Sequence, residues 1–433
     1  MDALKRYFGI DDVNTTVKTE FLAGLTTFLT MAYIIFVNPD MLAKAGMDKG
    51  AVFVATCLAS AIGCFLMGFI ARLPVALAPG MGLNAFFTFS VVLGMGKSWQ
   101  VALGAVFISG LLFVAISAFK LREWLINSIP YTLKQGIVAG IGAFLAFIAL
   151  KSSEIIVASP ATFVTMGDLT SFAPAMAILS FFLIVVFVQR KVPAAVMLSI
   201  LIITVISLLF GQTHYTGLIS APPSIAPTFM QLDIAGALDV GMVSVIFAFL
   251  FVVLFDTSGT LIGVTKKAGL MKADGNIPNL GKALFADSTA AVAGSLLGTS
   301  SVTSYVESTA GVAAGGRTGL TAIVVGVLFL LALFFAPLAG MIPAYATAGA
   351  IFYVAVLMLF TLREVDWDDL TEASPVAVVL LLTPLTFSIA DGIALGFITY
   401  TLAKLVSGRH REVSPAVWVL TVILLAKFVF LGH

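Results

Sequence analysis

Runs of apolar residues follow one another almost without interruption from Phe21 to Leu431, parted only by short polar turns. A helix needs about 20 apolar residues to cross a ~30 Å hydrocarbon core, and fewer where it is broken. On that measure the chain predicts fourteen spans. Seven fall in the first half, near Phe21 to Val37, Val52 to Ala71, Ala78 to Met95, Val101 to Phe119, Tyr131 to Leu150, Ala173 to Val188 and Pro193 to Phe210. Seven more fall near Val240 to Val264, Ala283 to Leu297, Thr299 to Gly316, Leu320 to Ala339, Ala346 to Phe360, Pro375 to Ile389 and Ile393 to Leu405. A last apolar stretch, residues 415–431, follows a basic turn and fits either an extra span or an interfacial helix. An odd number of spans per half sets the halves in opposite orientations, the inverted-repeat plan of many secondary transporters. The expected fold class is an all-α polytopic membrane protein, one membrane transport domain over residues 1–433 built as a 7+7 inverted repeat.

The third segment of each half resists a plain helix. These are Ala78-Pro-Gly-Met-Gly-Leu-Asn-Ala-Phe-Phe87 and Gly298-Thr-Ser-Ser-Val-Thr-Ser-Tyr-Val-Glu-Ser-Thr-Ala-Gly311. Pro79, Gly80 and Gly82 remove a donor and favour non-helical backbone, while Thr299 to Tyr305 is β-prone and rich in hydroxyls. Each segment reads as a short extended stretch followed by a half-helix. Irregular backbone at membrane depth survives only where protein or a wet cavity satisfies its polar groups, so the two half-helix starts, expected near Asn84 and Glu307, mark a binding site. The alternative is a pair of small-residue packing seams, which leaves Glu307 without a reason.

Composition agrees with the pattern. The chain is 60% hydrophobic and 10% charged, against about 25% charged in soluble domains. A net charge of +1 with no polybasic run excludes a general attraction to nucleic acid. Lys and Arg accumulate in cytoplasmic loops. With the amino terminus inside, the inner side holds Lys5, Arg6, Lys18, Arg72, Lys120, Arg122, Lys134, Arg190, Lys191, Lys266, Lys267, Lys272, Lys282, Arg317, Arg363, Lys404, Arg409 and Arg411. The outer side holds Lys44, Lys49, Lys97 and Lys151, with Lys427 in the ambiguous tail. The expected location is the cytoplasmic (inner) membrane, multi-pass, amino terminus cytoplasmic. The polar start of the chain lacks the apolar core of a signal peptide, so insertion is expected to use the first span.

An ionisable group at the bilayer centre costs about 2.5 to 3.5 kcal/mol on insertion scales, so each needs a reason. Asp256 follows a wholly apolar run in the eighth span, Asp287 lies in the ninth, and Glu307 opens the half-helix of the tenth. Without a nearby span Lys or Arg to neutralise them, these acids are candidate proton carriers. For each the plainer reading is a packing role through hydrogen bonds, which weighs most for Asp287 between Ala286 and Ser288-Thr289. Thr27, Thr30 and Tyr33 share one face of the first span and fit either a cavity lining or a helix contact. Phe86 and Phe87 would stack on a planar ring or simply pack. Asp391 reads as an outer turn residue beside Gly392. Cys57 and Cys64, in one apolar segment, read as packing residues, and none of His214, His410 and His433 looks catalytic or metal-binding. No nucleotide-binding loop, metalloprotease helix or nucleophile elbow occurs, which argues against an enzyme and for no metal and no cofactor.

The Ala78–Phe87 segment, Phe255-Asp-Thr-Ser-Gly-Thr260, Thr303-Ser-Tyr-Val-Glu-Ser-Thr-Ala-Gly311 and Gly316-Arg-Thr-Gly-Leu-Thr321 resemble, in order and spacing, the azaguanine-permease-like purine transporters. These are a branch of the nucleobase-cation symporter (nucleobase-ascorbate transporter) family, and the resemblance spans nearly the whole chain. It implies a substrate-carrying core, residues 18–119 and 240–340, and a gate part, residues 130–210 and 345–406, that dimerises. It also implies proton-coupled uptake of purine bases (adenine, guanine or hypoxanthine) by an elevator-like alternating-access movement. Carried over by position, Asp256 and Glu307 match the acidic or amide positions that hold the base, with Thr30, Asn84, Ala85, Phe86, Thr303 and Ser308 as further binding candidates. Asp287 matches an acid tied to proton coupling, a role that Asp256 and Glu307 share. Wider family members often carry a longer Glu where this chain has Asp256; the shorter acid leaves more room for a two-ring base.

Three rivals compete. An anion carrier of the sulfate-permease type has a similar architecture, but three buried acids disfavour an anion. A uracil or xanthine carrier of the same fold differs only in the pocket. A channel also uses broken helices, yet protonatable acids in a two-fold repeat fit alternating access better.

Overall fold

The computed structural model describes residues 2–13, 15–118, 129–271 and 277–430. Phe119, Lys120, Arg122, Lys272, Leu431 and His433, which entered the expectations above, lie outside the described residues, as do the side chains of Phe255 and Lys427.

Among the described residues fourteen membrane segments appear in the expected order. The first is two helices, Val17–Met31 and Ile34–Ala43, which meet at Ala32 and Tyr33. The cause of the jog is local. Thr30 donates its hydroxyl back to the carbonyls of Thr26 (3.1 Å) and Thr27 (2.8 Å), and Ile35 and Phe36 close tight three-residue bonds onto Ala32 and Tyr33. The second span, Lys49–Leu66, ends in a π-helical turn, Met67–Ala71. The third begins with strand β1, Leu77–Pro79, and continues as Met81–Ala85 and a π-helical Phe86–Gly94. Trp99–Ala118 and Tyr131–Ser152 are the fourth and fifth. An unforeseen hairpin of β2, Ile156–Ser159, and β3, Phe163–Met166, leads to the sixth and seventh, Phe172–Gln189 and Ala195–Leu209.

The second half repeats the plan. Val243–Lys267 and Leu280–Leu297 are the eighth and ninth spans. The tenth consists of strand β4, Val302–Ser304, and a short helix, Ser308–Ala313. The eleventh runs over Gly319–Met341 with a tight turn at Leu333–Phe335, followed by Ala344–Leu359, Leu370–Thr386 and Ile389–Val406. Among the described residues nine helices are long and apolar enough to span a bilayer. The other segments are the two broken ones, the short seventh and thirteenth, and the ninth, whose polar Asp287-Ser288-Thr289 makes it less apolar. The protein is thus a multi-pass α-helical membrane protein. Asp391, expected in a turn, sits instead in the first turn of Ile389–Val406, its N–H donating to the capping Ser388 hydroxyl at 3.1 Å. An acid is favoured there by the helix dipole.

Packing falls into two groups. Spans one to four pack chiefly against spans eight to eleven, and spans five to seven chiefly against spans twelve to fourteen. Contacts between the groups are sparser and include the third span against the fifth. There Gly82 faces Ile141 so closely that a Cβ would lie 2.6 Å from the Ile141 methyl, so no larger residue fits without a shift. The final helix, Pro415–Phe430, lies along the fourteenth span, with Thr401 and Thr421 hydroxyls 2.7 Å apart. Its approach is fixed by ion pairs of Lys404 with Glu372 (2.6 Å) and Glu412 (2.9 Å), and of Arg409 with Asp369 (2.5 Å) and Glu412 (2.7 Å).

Candidate functional site

The two extended stretches meet. β1 and β4 pair antiparallel, Leu77 opposite Ser304, Ala78 opposite Thr303 and Pro79 opposite Val302, so the breaks of the two repeats close on one another inside the protein. Two strands alone leave their outer edges with unpaired N–H and C=O groups, which at membrane depth must find partners. The ladder is prolonged by Gly80 N–H to the Ser301 carbonyl (3.0 Å) and Tyr305 N–H to the Ala76 carbonyl (2.9 Å). On the outer edge of β1 the Cys64 thiol takes the Leu77 N–H (3.3 Å) and donates to the Leu77 carbonyl (3.4 Å). Cys64 therefore does more than pack. Pro79 has no N–H to satisfy, and its carbonyl accepts from the Tyr305 hydroxyl (2.5 Å) and the Asn84 amide (3.5 Å). On the outer edge of β4, Asp287 Oδ1 accepts from both the N–H (2.9 Å) and the hydroxyl (2.8 Å) of Ser304.

Around this crossing the three acids gather. Asp256 and Glu307 are half-buried, whereas Asp287 is wholly buried. Asp256 lies within electrostatic range of both Asp287 and Glu307, and its carboxylate interacts with the Thr303 hydroxyl. Thr303 in turn is 2.9 Å from the Thr257 hydroxyl, which donates to Asp287 Oδ2 at 2.8 Å. Glu307 Oε1 accepts from the Tyr33 hydroxyl at 2.6 Å, because the jog in the first span presents Tyr33 there. Tyr305 and Tyr353, the latter on the twelfth span, also lie within electrostatic range of Glu307.

The remaining candidates occupy distinct places. Asn84 is buried one turn into its half-helix and not at its start: its N–H already bonds the Gly80 carbonyl (2.8 Å), while its Oδ1 has no protein partner. Ala85 is buried, and Phe86 is buried with its ring 4.8 Å from that of Phe249. Ser308 accepts the Ala76 N–H (3.0 Å) and so splices the tenth segment to the start of β1. Thr30 is half-buried with its proton committed to its own helix, which leaves it only lone pairs to offer.

Four contributors were not singled out from sequence. Thr257 and Tyr305 stand inside quoted motifs, and only their register against Asp287 and Pro79 reveals their use. Tyr353 lay in a featureless apolar run. Glu20 read as part of a polar end, yet it is fully buried and accepts from Arg317 N–H (2.9 Å), Thr318 N–H (3.2 Å) and the Thr321 hydroxyl (2.6 Å). It caps the eleventh span, which gives the motif Gly316 to Thr321 its physical reason.

Known proteins share this chain's sequence and fold. The Permease family matches residues 18–395. Adenine permease AdeP of Escherichia coli is 50% identical, covering 99% of this chain and 96% of that protein. Guanine/hypoxanthine permease PbuG of Bacillus subtilis is 48% identical, covering 99% of this chain and 100% of that protein. The transmembrane domain of the cyanobacterial bicarbonate transporter BicA shares the fold with a TM-score of 0.65 at 20% identity, over 87% of this chain and 97% of that one. The resemblance read from the motifs is thereby borne out, and the chain belongs to the Permease family.

Proposed function

We propose that this protein carries purine nucleobases (adenine, guanine or hypoxanthine) together with protons across the cytoplasmic membrane. The observation that carries the reading is the pair Asp256 and Glu307, two half-buried acids within electrostatic range at the crossing of β1 and β4. A purine presents several ring and exocyclic N–H groups that suit carboxylate acceptors, whereas an anion would meet repulsion from both. The relatives' named substrates, adenine in one and guanine and hypoxanthine in the other, favour these three bases over uracil or the dioxopurine xanthine. Asn84, with its unpartnered Oδ1, would accept a further N–H, and Thr303 and Thr30 would add hydroxyl contacts. Ala85, Phe86 and Ser308 shape the wall behind them.

The packing supports a movement of one part against the other. The core, residues 18–119 and 240–340, would shift as a body against the gate, residues 130–210 and 345–406, and carry the site across an elevator-like barrier. Sparse contacts between the two groups and the bare Gly82 surface against Ile141 support such sliding. The gate is the proposed seat of a homodimer, with the amino terminus on the cytoplasmic side and Asp287 in the proton path.

Competition of unlabelled adenine, guanine, hypoxanthine, xanthine, uracil and sulfate against labelled purine uptake in proteoliposomes tests the assignment. Competition by adenine, guanine or hypoxanthine and none by sulfate is expected. Uptake of sulfate, or of uracil alone, overturns it.

A further inference from the structure

Two acids of this site are joined by hydroxyls. The Thr257 hydroxyl donates to Asp287 Oδ2 at 2.8 Å and lies 2.9 Å from the Thr303 hydroxyl, either of the two being able to donate. The Thr303 hydroxyl also lies within interaction range of the Asp256 carboxylate, at the other end. Thr257, Thr303 and Asp287 are buried, so bulk water does not compete for these bonds. The other oxygen of Asp287 is occupied by the two Ser304 donors, which leaves Oδ2 as its end of the chain.

The count of protons is informative. Three gaps separate the carboxylates (Asp256 to Thr303, Thr303 to Thr257, Thr257 to Asp287), and the two hydroxyls supply two protons. With both acids ionised one gap lacks a proton. One added proton fills all three, and it can sit at either end: on Asp256 with both hydroxyls pointing toward Asp287, or on Asp287 with both pointing toward Asp256.

We propose that Asp256, Thr303, Thr257 and Asp287 form a single-proton relay, in which the proton taken up beside the substrate is passed to the buried Asp287 while cargo is carried. In the step the Asp256 O–H bond breaks, each hydroxyl gives its proton to the next oxygen and receives one from behind, and an O–H bond forms at Asp287 Oδ2. Charge and atoms balance with no other reactant. Glu307 and Tyr305 are the other titratable groups set against Asp256 here. Glu307 is held by Tyr33 and stands outside the relay. The relay rests on the reading of proton-coupled purine transport and assigns Thr257 a positioning role within it.

Thr257→Val keeps shape and removes the hydroxyl, and Thr257→Ser restores it. Each full-length variant, in proteoliposomes, would be assayed with labelled adenine and labelled hypoxanthine in two ways: counterflow at equal pH, and initial uptake driven by a pH gradient with internal acidification followed by a trapped dye. The relay predicts that Thr257→Val keeps counterflow while gradient-driven uptake falls by about a hundredfold, the lower range for a positioned proton carrier. Thr257→Ser should recover it. Undiminished gradient-driven uptake in Thr257→Val, loss of counterflow along with it, or no recovery in Thr257→Ser overturns the relay. A parent protein that moves neither base removes the transport reading itself, and the relay with it.

Discussion

The Tyr33 hydroxyl donates to Glu307 Oε1 at 2.6 Å, joining residues 274 positions apart in the sequence. The contact exists because the first span jogs at Ala32 and Tyr33 and because β4 delivers Glu307 to the same depth. One carboxylate oxygen of Glu307 is thereby fixed.

Removing that donor has a predictable cost. A hydrogen bond to a charged group contributes about 1.5–3 kcal/mol. Tyr33→Phe should therefore weaken purine binding by roughly ten- to a hundredfold where Glu307 holds the base. Equilibrium binding of labelled adenine and hypoxanthine to the purified variant measures it, and unaltered affinity would separate Tyr33 from the site.

The acids themselves should behave differently from one another. Asp256→Asn and Glu307→Gln keep shape but cannot exchange a proton and present donors where a base expects an acceptor, so both should cut purine uptake severely. Asp287→Asn, away from the base, should retain purine binding and lose accumulation against a gradient. Binding and gradient-driven uptake measured side by side check all three, and normal concentrative uptake in Asp287→Asn would return that residue to a purely structural role.

Asp287 also holds up the fold. Asp287→Ala strips the Ser304 N–H and hydroxyl of their acceptor on the outer edge of β4, and a buried unsatisfied donor costs about 1–3 kcal/mol. Its thermal unfolding in detergent should fall below that of Asp287→Asn, which keeps an acceptor oxygen. Equal midpoints would contradict the edge-capping role.

The ion pairs beneath the final helix set a pH dependence. Hydrogen bonds from Arg409 and then Lys404 hold the Glu412 carboxyl down to about 2, and Arg409 with Thr371 holds Asp369 below the usual carboxylate range. Depressed acids stabilise the folded arrangement above their unfolded values of about 4 and lose that contribution as pH falls toward the folded ones. Attachment of Pro415–Phe430 should be unchanged from pH 8 to 5 and loosen below about pH 4. Hydrogen exchange of that helix at pH 7 and pH 3 detects it, and equal protection would remove the ion pairs as its anchor.

Much of this architecture was legible in the sequence because the bilayer enforces it. A span needs length and apolarity, and Pro79, Gly80 and the hydroxyl run before Tyr305 can be neither, so the breaks announce themselves. Acids in apolar runs do the same for Asp256, Asp287 and Glu307. The pairing register was not legible, since nothing local says that Leu77 lies opposite Ser304. Cys64, Thr257 and Tyr305 owe their roles to that register. Nor does an apolar pattern reveal a jog caused by Thr30 bonding backward, so Tyr33 appeared only as one of three residues on a face. The glycines before Asn84 predict a half-helix that starts near it, yet the helix already begins at Met81.

In the proposed cycle a purine and a proton enter together through Asp256 and Glu307. Proteoliposomes with a trapped pH dye and no imposed gradient test it most directly. Adding adenine, guanine or hypoxanthine outside should acidify the interior as the base enters, and the signal should vanish in Asp256→Asn and Glu307→Gln. Entry of the base without acidification, or full acidification in either variant, would contradict the account.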